Sequence, residues 1–372
     1  MSKQGVKHMA YKAPAPKLPS SLKPGWIYFI REQDYLDPTD IGRYVKIGLT
    51  KRTVPIRIAE HQTGNPRREF EATPSSYIEL MDYGETFLHH YFAADRIGGE
   101  WFDLDDAFLA SDVRPVIDNL EVEMAAVADS FRRWRELNDV PSNGTIRPPT
   151  AAETGWGQDF TTAYEELTVA KAILDTHKNN LRNMLGTDKA IENIMYIQQG
   201  NRNPAFNKSV FEGLITPAQL AQCDSTTTSL SRSLKMLNKG QDLATLNPTV
   251  KQAFDTSETG LTSPSATNMS GAVLSPTQAM KDENLAMLNA MREVKVKEWA
   301  CLQAQAKLIE ALDDHLEIEG IVRWKREPKT ETKFDKKLAK ELFETEYDAS
   351  FTAPATLHTY STEFDYMRKY NP

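Results

Sequence analysis

The sequence contains few cysteines and no long hydrophobic run. Its two cysteines, Cys223 and Cys301, cannot build a disulfide framework and lack the spacing of a metal site. No apolar run approaches the roughly 18 residues of a membrane-spanning helix, and residues 1–24 have no apolar signal-peptide core. Glycine-rich phosphate loops and zinc patterns are also missing. These absences predict a cytoplasmic protein with no membrane partner.

The charge of the chain is acidic overall but unevenly distributed. Asp and Glu total 52 against 44 Lys and Arg, a net charge of −8 that argues against a broad polyanion-binding surface. Residues 43–68, however, hold seven Lys and Arg against the single acid Glu60, a local charge of +6. Such a cluster attracts phosphate.

Composition shifts divide the chain into segments, and 372 residues correspond to two or three domains. We find no internal repeat in the sequence, and residues 216–240 have a helical pattern. The longest helical pattern, 277–316, predicts a core helix or a seam for a homo-oligomer or protein partner. The predicted segments are a basic disordered arm over 1–23, an α/β domain with trailing helices over 24–140, a linker over 141–156, a helical region over 157–254, a flexible connector over 255–276 and a long-helix C-terminal region over 277–372.

Mixed patterns over 24–105 predict a small α/β domain. Two β-rich runs, Trp26–Ile30 and Tyr44–Leu49, form a hairpin with a long loop, and Ser75–Leu80 forms a third strand. Helices begin after Thr53 and Asp82. The fold class is therefore α+β, with a three-stranded antiparallel sheet and flanking helices, followed by a mainly α-helical region.

Alternation along the hairpin separates a core face from a polar face. Tyr28, Tyr44 and Lys46 share the polar face, where Gly48 leaves room for close approach. Arg57 and His61 lie one turn apart on the next helix. Phosphodiester cleavage needs a base, a cation at the phosphate, a metal-holding carboxylate and a leaving-group donor, and these side chains together with Glu85 supply such groups.

Short motifs follow one another in this region. They are Gly25-Trp26-Ile27-Tyr28, Val45-Lys46-Ile47-Gly48-Leu49-Thr50, Arg57, Gln62-Thr63-Gly64-Asn65-Pro66, Glu85-Thr86-Phe87-Leu88-His89 and Gly99-Glu100-Trp101-Phe102. In this order they resemble the GIY-YIG nuclease superfamily, in its phage and fungal branch named after a phage T5 open reading frame. The resemblance covers residues 24–105 and implies DNA as substrate, in a bacterial or phage-infected cell.

The resemblance also implies roles for individual residues. Tyr28 matches the tyrosine that helps to deprotonate water, Arg57 the arginine at the phosphate, and Glu85 the carboxylate that holds one Mg²⁺ or Mn²⁺ ion. His61 matches a position that is often histidine. Lys46 replaces the second tyrosine, so that Lys46 or Tyr44 is an alternative base. Further candidates are His89 and Glu100 as metal ligands and Tyr44, Arg43, Lys51, Arg52, Arg67 and Arg68 as substrate-binding residues.

Each of these residues also has a structural explanation. Tyr28 fits a half-buried strand aromatic, and Glu85 fits a carboxylate that stabilises a helix N-terminus. The sequence therefore leaves three functions open. The first is a metal-dependent DNA endonuclease whose helical region selects the target or partner. The second is a non-catalytic DNA-binding or assembly protein that keeps the fold. The third is a scaffold held together by the long helices.

Overall fold

A computed structural model describes residues 10–261 and 263–362 as an N-terminal sheet domain followed by two long helices and two β-ribbons. The strands are β1 Gly25–Gln33, β2 Ile41–Thr50, β3 Arg68–Ile78, β4 Arg96–Gly98, β5 Trp101–Asp103, β6 Ile146–Arg147, β7 Ala190–Ile191, β8 Met195–Arg202, β9 Asp224–Met236, β10 Val273–Leu274, β11 Glu317–Ile318, β12 Val322–Phe334 and β13 Ala355–Thr362. The helices are α1 Val54–Gln62, α2 Met81–Tyr91, α3 Asp106–Phe108, α4 Arg114–Leu137, α5 Ala151–Leu185, α6 Lys208–Leu214, α7 Pro217–Gln222, α8 Leu243–Leu246, α9 Pro248–Glu258, α10 Gln278–Leu312, α11 Lys336–Leu342 and α12 Glu344–Asp348.

The N-terminal sheet has five strands in the order β3-β1-β2-β5-β4, so the prediction of three strands is wrong. The predicted hairpin is present, because β1 and β2 pair antiparallel across the 34–40 loop. The two strands that the prediction missed, β4 and β5, have three residues each. A period-two pattern cannot be recognised over so short a run.

Both faces of this sheet are covered. Ile27, Phe29 and Val45 point to one side, into a core that also receives side chains of α2, α4 and α10. Tyr28 and Ile30 point to the other side, where they pack with Val54 of α1. The predicted alternation is therefore confirmed, and α1 lies over the face that carries Tyr28.

Part of the predicted disordered arm packs against the long helix α5. The Ala13 amide donates to Thr168 Oγ1 at 3.3 Å, and the hydroxyl of Tyr11 donates to Asp175 at 2.9 Å. Ala13 itself is 3% exposed. Leu22 in turn packs in the core of the N-terminal domain, so residues 10–23 are held by both regions rather than forming a free arm. Residues 1–9 lie outside the described residues.

The predicted long helix is confirmed as α10, and its apolar faces are covered within the chain. Met287 and Leu308 of α10 pack in a core shared with α5, while Leu302 and Ile309 pack in the core of the N-terminal domain. The seam expected for an oligomer is thus occupied by other parts of the same chain. Within the described ranges, no helix combines the length and apolar character needed to cross a bilayer.

Strands replace predicted coil and helix in several places. The pattern over 216–240 predicts a helix, but most of this segment forms β9, which pairs along its full length with β12. The expected linker contains β6 and the first turn of α5, which is capped by Thr150. The expected connector contains β10 and a short 3₁₀ turn over Ala266–Ser270.

The helical region is an internal duplication, so the prediction of no repeat is wrong. The elements β6-α5-β7-β8-α6-α7-β9 recur in the same order as β10-α10-β11-β12-α11-α12-β13. The helices α5 and α10 each have 35 residues and begin at residues 151 and 278, a separation of 127. At this separation Ile191-Glu192-Asn193-Ile194 aligns with Ile318-Glu319-Gly320-Ile321, and both third residues have positive φ, 57° and 73°.

The two repeats exchange their strands reciprocally. β8 of the first repeat pairs with β13 of the second, and β12 of the second pairs with β9 of the first. Likewise β6 pairs with β11, and β10 with β7. Equivalent backbone hydrogen bonds recur at the same separation: Ile197 N to Lys189 O with Trp324 N to Leu316 O, and Glu192 N to Leu274 O with Glu319 N to Arg147 O. Each repeat therefore needs the other to complete its sheets.

Candidate active site

Tyr28 lies opposite Gly48 across the β1–β2 ladder, under helix α1. A Cβ atom on residue 48 would lie only 2.5 Å from the Tyr28 hydroxyl oxygen, so glycine is required there. The space that the sequence predicted over Gly48 is therefore filled by the Tyr28 ring. Tyr28 is 1% exposed, and burial raises the pKa of its hydroxyl.

The Tyr28 hydroxyl lies 3.1 Å from Nε2 of His61 on α1. Burial and the nearby cations Lys46 and Arg57 lower the pKa of His61 to about 4. His61 is therefore neutral at pH 7 and can accept a proton, while Tyr28 stays protonated and can donate one. Arg57 also hydrogen-bonds Tyr28 and partly opposes the rise in the tyrosine pKa.

Arg57 projects from α1, whose first turn contains Pro55 and follows Thr53. Its Nη1 lies 3.4 Å from Oε2 of Glu60. Its Nε is buried and has no hydrogen-bond partner in the described part of the chain. A buried donor without an acceptor is costly, so this nitrogen is a natural partner for an oxygen anion.

Lys46 and Glu100 form an ion pair beside this cluster, with Nζ 3.3 Å from Oε2. The β4–β5 turn brings Glu100 here, because its backbone carbonyl accepts from the Ile47 amide at 2.9 Å. As a paired ammonium, Lys46 has no lone pair with which to accept a proton. The arrangement thus favours the hydrogen-bonded pair Tyr28–His61 over Lys46 for taking up a proton.

Glu85 and His89 lie one turn apart on α2, but their surroundings differ. Glu85 is half-buried, and like Glu100 it is close enough to raise the pKa of Tyr28. It does not belong to the first turn of α2, whose acidic residue is Asp82. His89 is buried, and its Nε2 lies 2.9 Å from the Ile47 carbonyl, which can only accept. This nitrogen therefore carries a proton and is not a metal ligand.

The predicted basic surface is largely neutralised by acids from other segments. Arg43 pairs with Asp103 at 2.5 Å, and Arg52 pairs with Glu60. Arg67 lies among three acids of the β1–β2 region, Glu32, Asp34 and Asp40. Counting charge along 43–68 overstated the local field because Asp103, Glu32, Asp34 and Asp40 lie outside that window. Lys51, Arg68 and Tyr44 are exposed.

Two contributions to the candidate site were not predicted from the sequence. Glu60 was counted only as a charge, yet it contacts both Arg52 and Arg57. The motif Gln62–Pro66 holds the turn between α1 and β3, because the Gln62 side chain donates to the Arg67 carbonyl at 2.7 Å and accepts from the Glu69 amide at 2.8 Å. Its position directly after a helix was the available indication of a turn.

The fold and this cluster define a class of small domain in which a sheet presents a buried tyrosine to a helix with an arginine and a histidine. Residues 25–121 match the family model of the T5orf172 domain, which confirms the resemblance found in the sequence. The match gives this part of the chain a nuclease-like or DNA-binding character. No curated protein and no solved structure matches the chain.

Proposed function

We propose that the N-terminal domain is a metal-dependent DNA endonuclease that hydrolyses phosphodiester bonds. One observation carries this proposal: the buried, unpartnered Nε of Arg57 lies next to the Tyr28–His61 hydrogen bond. A phosphate oxygen satisfies the arginine, and the Tyr28 hydroxyl oxygen is then beside the phosphate. The role of the duplicated region is to hold the target or a partner.

The proton path in this proposal uses two side chains. The attacking water gives a proton to the Tyr28 oxygen as Tyr28 passes its own proton to Nε2 of the neutral His61. Arg57 stabilises the negative charge that develops on the phosphate. Lys46, held by its ion pair with Glu100, adds positive charge beside the phosphate.

Glu85 is the residue proposed to hold Mg²⁺ or Mn²⁺. No group of three or more His, Cys, Asp or Glu in residues 10–261 and 263–362 is arranged to hold a metal ion. A single carboxylate nevertheless fits magnesium, which keeps several waters and takes its other ligands from substrate phosphates. When bound, the ion stabilises the charge on the leaving oxygen.

Nicking of supercoiled plasmid tests the proposal, with Mg²⁺ or Mn²⁺ added to wild-type protein. We expect Arg57→Ala to reduce the rate about 100-fold or more, as for loss of one charge-stabilising donor. Arg133→Ala is the matched control, because Arg133 of α4 is likewise ion-paired with an acid, Asp313, but lies outside residues 25–121, and it should cut at nearly the wild-type rate. Glu85→Gln should abolish the response to metal. Equal rates for wild type, Arg57→Ala and Glu85→Gln would disprove the endonuclease.

A second candidate is a non-catalytic DNA-binding domain, which the 1% exposure of Tyr28 favours. A buried tyrosine reaches a phosphate only if α1 moves. In that case the wild-type protein binds duplex DNA in a salt-dependent manner and yields no metal-dependent breaks.

A further inference from the structure

The two long ribbons of the duplicated region extend beyond the body of the protein. In the β9–β12 ribbon, residues 226–229 and 328–330 are exposed on both faces. In the β8–β13 ribbon the same is true of residues 199–202 and 355–357. Both ribbons end at one small cluster, in which Phe206 and Phe211 pack with Phe334 and Tyr347. A strand that packs on a surface buries alternate residues. These parts of the two ribbons bury residues on neither face, so solvent surrounds them.

One face of the β9–β12 ribbon is rich in cations and hydroxyl groups. On β12, alternate residues from Arg323 to Lys333 share this face, and β9 places Lys235 and a row of Ser and Thr beside them. We call this set the lysine–serine face. Its members are Arg323, Lys325, Glu327, Lys329, Glu331, Lys333, Lys235, Ser233, Ser231, Ser229, Thr227 and Ser225.

Positive charge predominates on the lysine–serine face, with five cations against two acids. Arg323 and Lys235 are direct cross-strand partners, and Arg323 is also ion-paired with the buried Glu317 of β11, so the three lysines of β12 carry the charge that is open to a partner. Lys325, Lys329 and Lys333 share only Glu327 and Glu331 as partners on this face, and their side chains are 50%, 60% and 69% exposed. Ion pairs this exposed contribute little, so an arriving anion can replace them.

The second ribbon shows that the fold does not require these charges. The β8–β13 ribbon is its equivalent in the duplication, yet Arg202 is the sole Lys, Arg, Asp or Glu in its two strands. Lys325 aligns with Gln198 at the separation of 127 residues. The cations are therefore specific to one ribbon and not a structural property of the repeat.

We propose that the lysine–serine face binds the phosphate backbone of duplex DNA. Lysines and hydroxyls are the side chains that most proteins use for phosphate contacts. A two-stranded ribbon also has the width that the major groove admits. The choice of DNA as the polyanion rests on the proposed function of the N-terminal domain, but the contact itself requires no cleavage.

Binding of a fluorescent duplex, measured by anisotropy with EDTA present, tests this proposal without cleavage. The variant is the triple substitution Lys325→Gln, Lys329→Gln and Lys333→Gln in the full chain. Its affinity should fall roughly tenfold or more at about 0.1 M salt, and the slope of log K against log salt should become shallower by about one for each lysine that contacts phosphate. The melting temperature should stay unchanged, because these side chains are exposed.

The matched control places the same change in net charge on the other ribbon, through Gln199→Glu, Asn201→Glu and Thr359→Glu. This variant should keep most of the affinity and the wild-type salt slope. Equal losses in both triples, or none in the lysine triple, would overturn the proposal, as would binding of anionic vesicles but not duplex DNA. A wild-type chain that binds DNA through these lysines and cuts none would refute only the endonuclease.

Discussion

The N-terminal domain and the duplicated region place their polar side chains in opposite ways. In the N-terminal domain, Tyr28 and Lys46 of the sheet meet Arg57 of α1, and Tyr28 is fully buried. In the duplicated region, Lys329 and Lys333 lie on a ribbon exposed to solvent, and a buried cation such as Arg326 is held by backbone carbonyls, including that of Leu137.

This difference separates a proposed catalytic site from a proposed DNA-binding surface. Burial and neighbouring charges shift pKa values in the N-terminal site, as His61 shows, and such perturbed groups cluster at reactive sites. Exposed lysines act on any phosphate within reach. We therefore propose cleavage for the first region and DNA retention for the second.

Among the variants that test this difference between the two regions, Tyr28→Phe should have the largest effect. The phenylalanine ring still fills the space over Gly48, so the fold is retained, but the proton path to His61 is lost. The rate of plasmid nicking should fall roughly 100-fold or more. Tyr77→Phe is the control, since Tyr77 of β3 is 44% exposed and has no assigned role, and its rate should remain close to that of the wild type. Similar losses in both variants would assign no special role to Tyr28.

Most of the candidate site was predictable from the sequence because its motifs are local. Tyr28, Arg57 and His61 occur within short recognisable segments, and strand alternation placed Tyr28 on the correct face. The neutralisation of Arg43 and Arg67 was not predictable from the same residues. Their acidic partners come from β5 and from the β1–β2 loop, which only the folded sheet brings near.

Gly320→Ala tests whether the two turns of the duplication are equivalent. Residue 320 has φ 73°, and a Cβ there meets nothing within 4 Å, so any cost comes from the backbone alone. Alanine should lower the free energy of unfolding by about 1 kcal/mol. Gly320→Asn should cost only a few tenths of that, roughly, since asparagine tolerates this conformation and the other repeat has Asn193 there. Urea unfolding measures both, and equal costs would contradict the equivalence.

The duplication was not predictable from the sequence, for a physical reason. Its two copies share a backbone pattern and few side chains, of which Ile191-Glu192 and Ile318-Glu319 are the clearest. The strands β9 and β12 pair across some hundred residues, and an exposed ribbon lacks the apolar alternation that identifies a strand. The helix α10 was predictable because it buries a long apolar stripe.

The pH dependence of stability gives the smallest expected effect. The folded-state pKa of His61 is about 4, below the ordinary value of 6.5, so the unfolded chain binds the proton more readily. The contribution of His61 is therefore complete above about pH 6.5 and declines as the pH falls towards 4. His61→Gln should flatten this part of the unfolding profile. An NMR titration midpoint near 6.5 for His61 would contradict the buried site.

Parallel measurement of cleavage and binding tests the division of labour most directly. Arg57→Ala and the triple Lys325→Gln, Lys329→Gln, Lys333→Gln are compared on the same duplex, for nicking at saturating DNA with Mg²⁺ and for affinity in EDTA. We predict that Arg57→Ala loses nicking and retains most of its affinity, whereas the lysine triple loses affinity and retains nicking. Loss of both properties together in each variant would contradict the separation of the two regions.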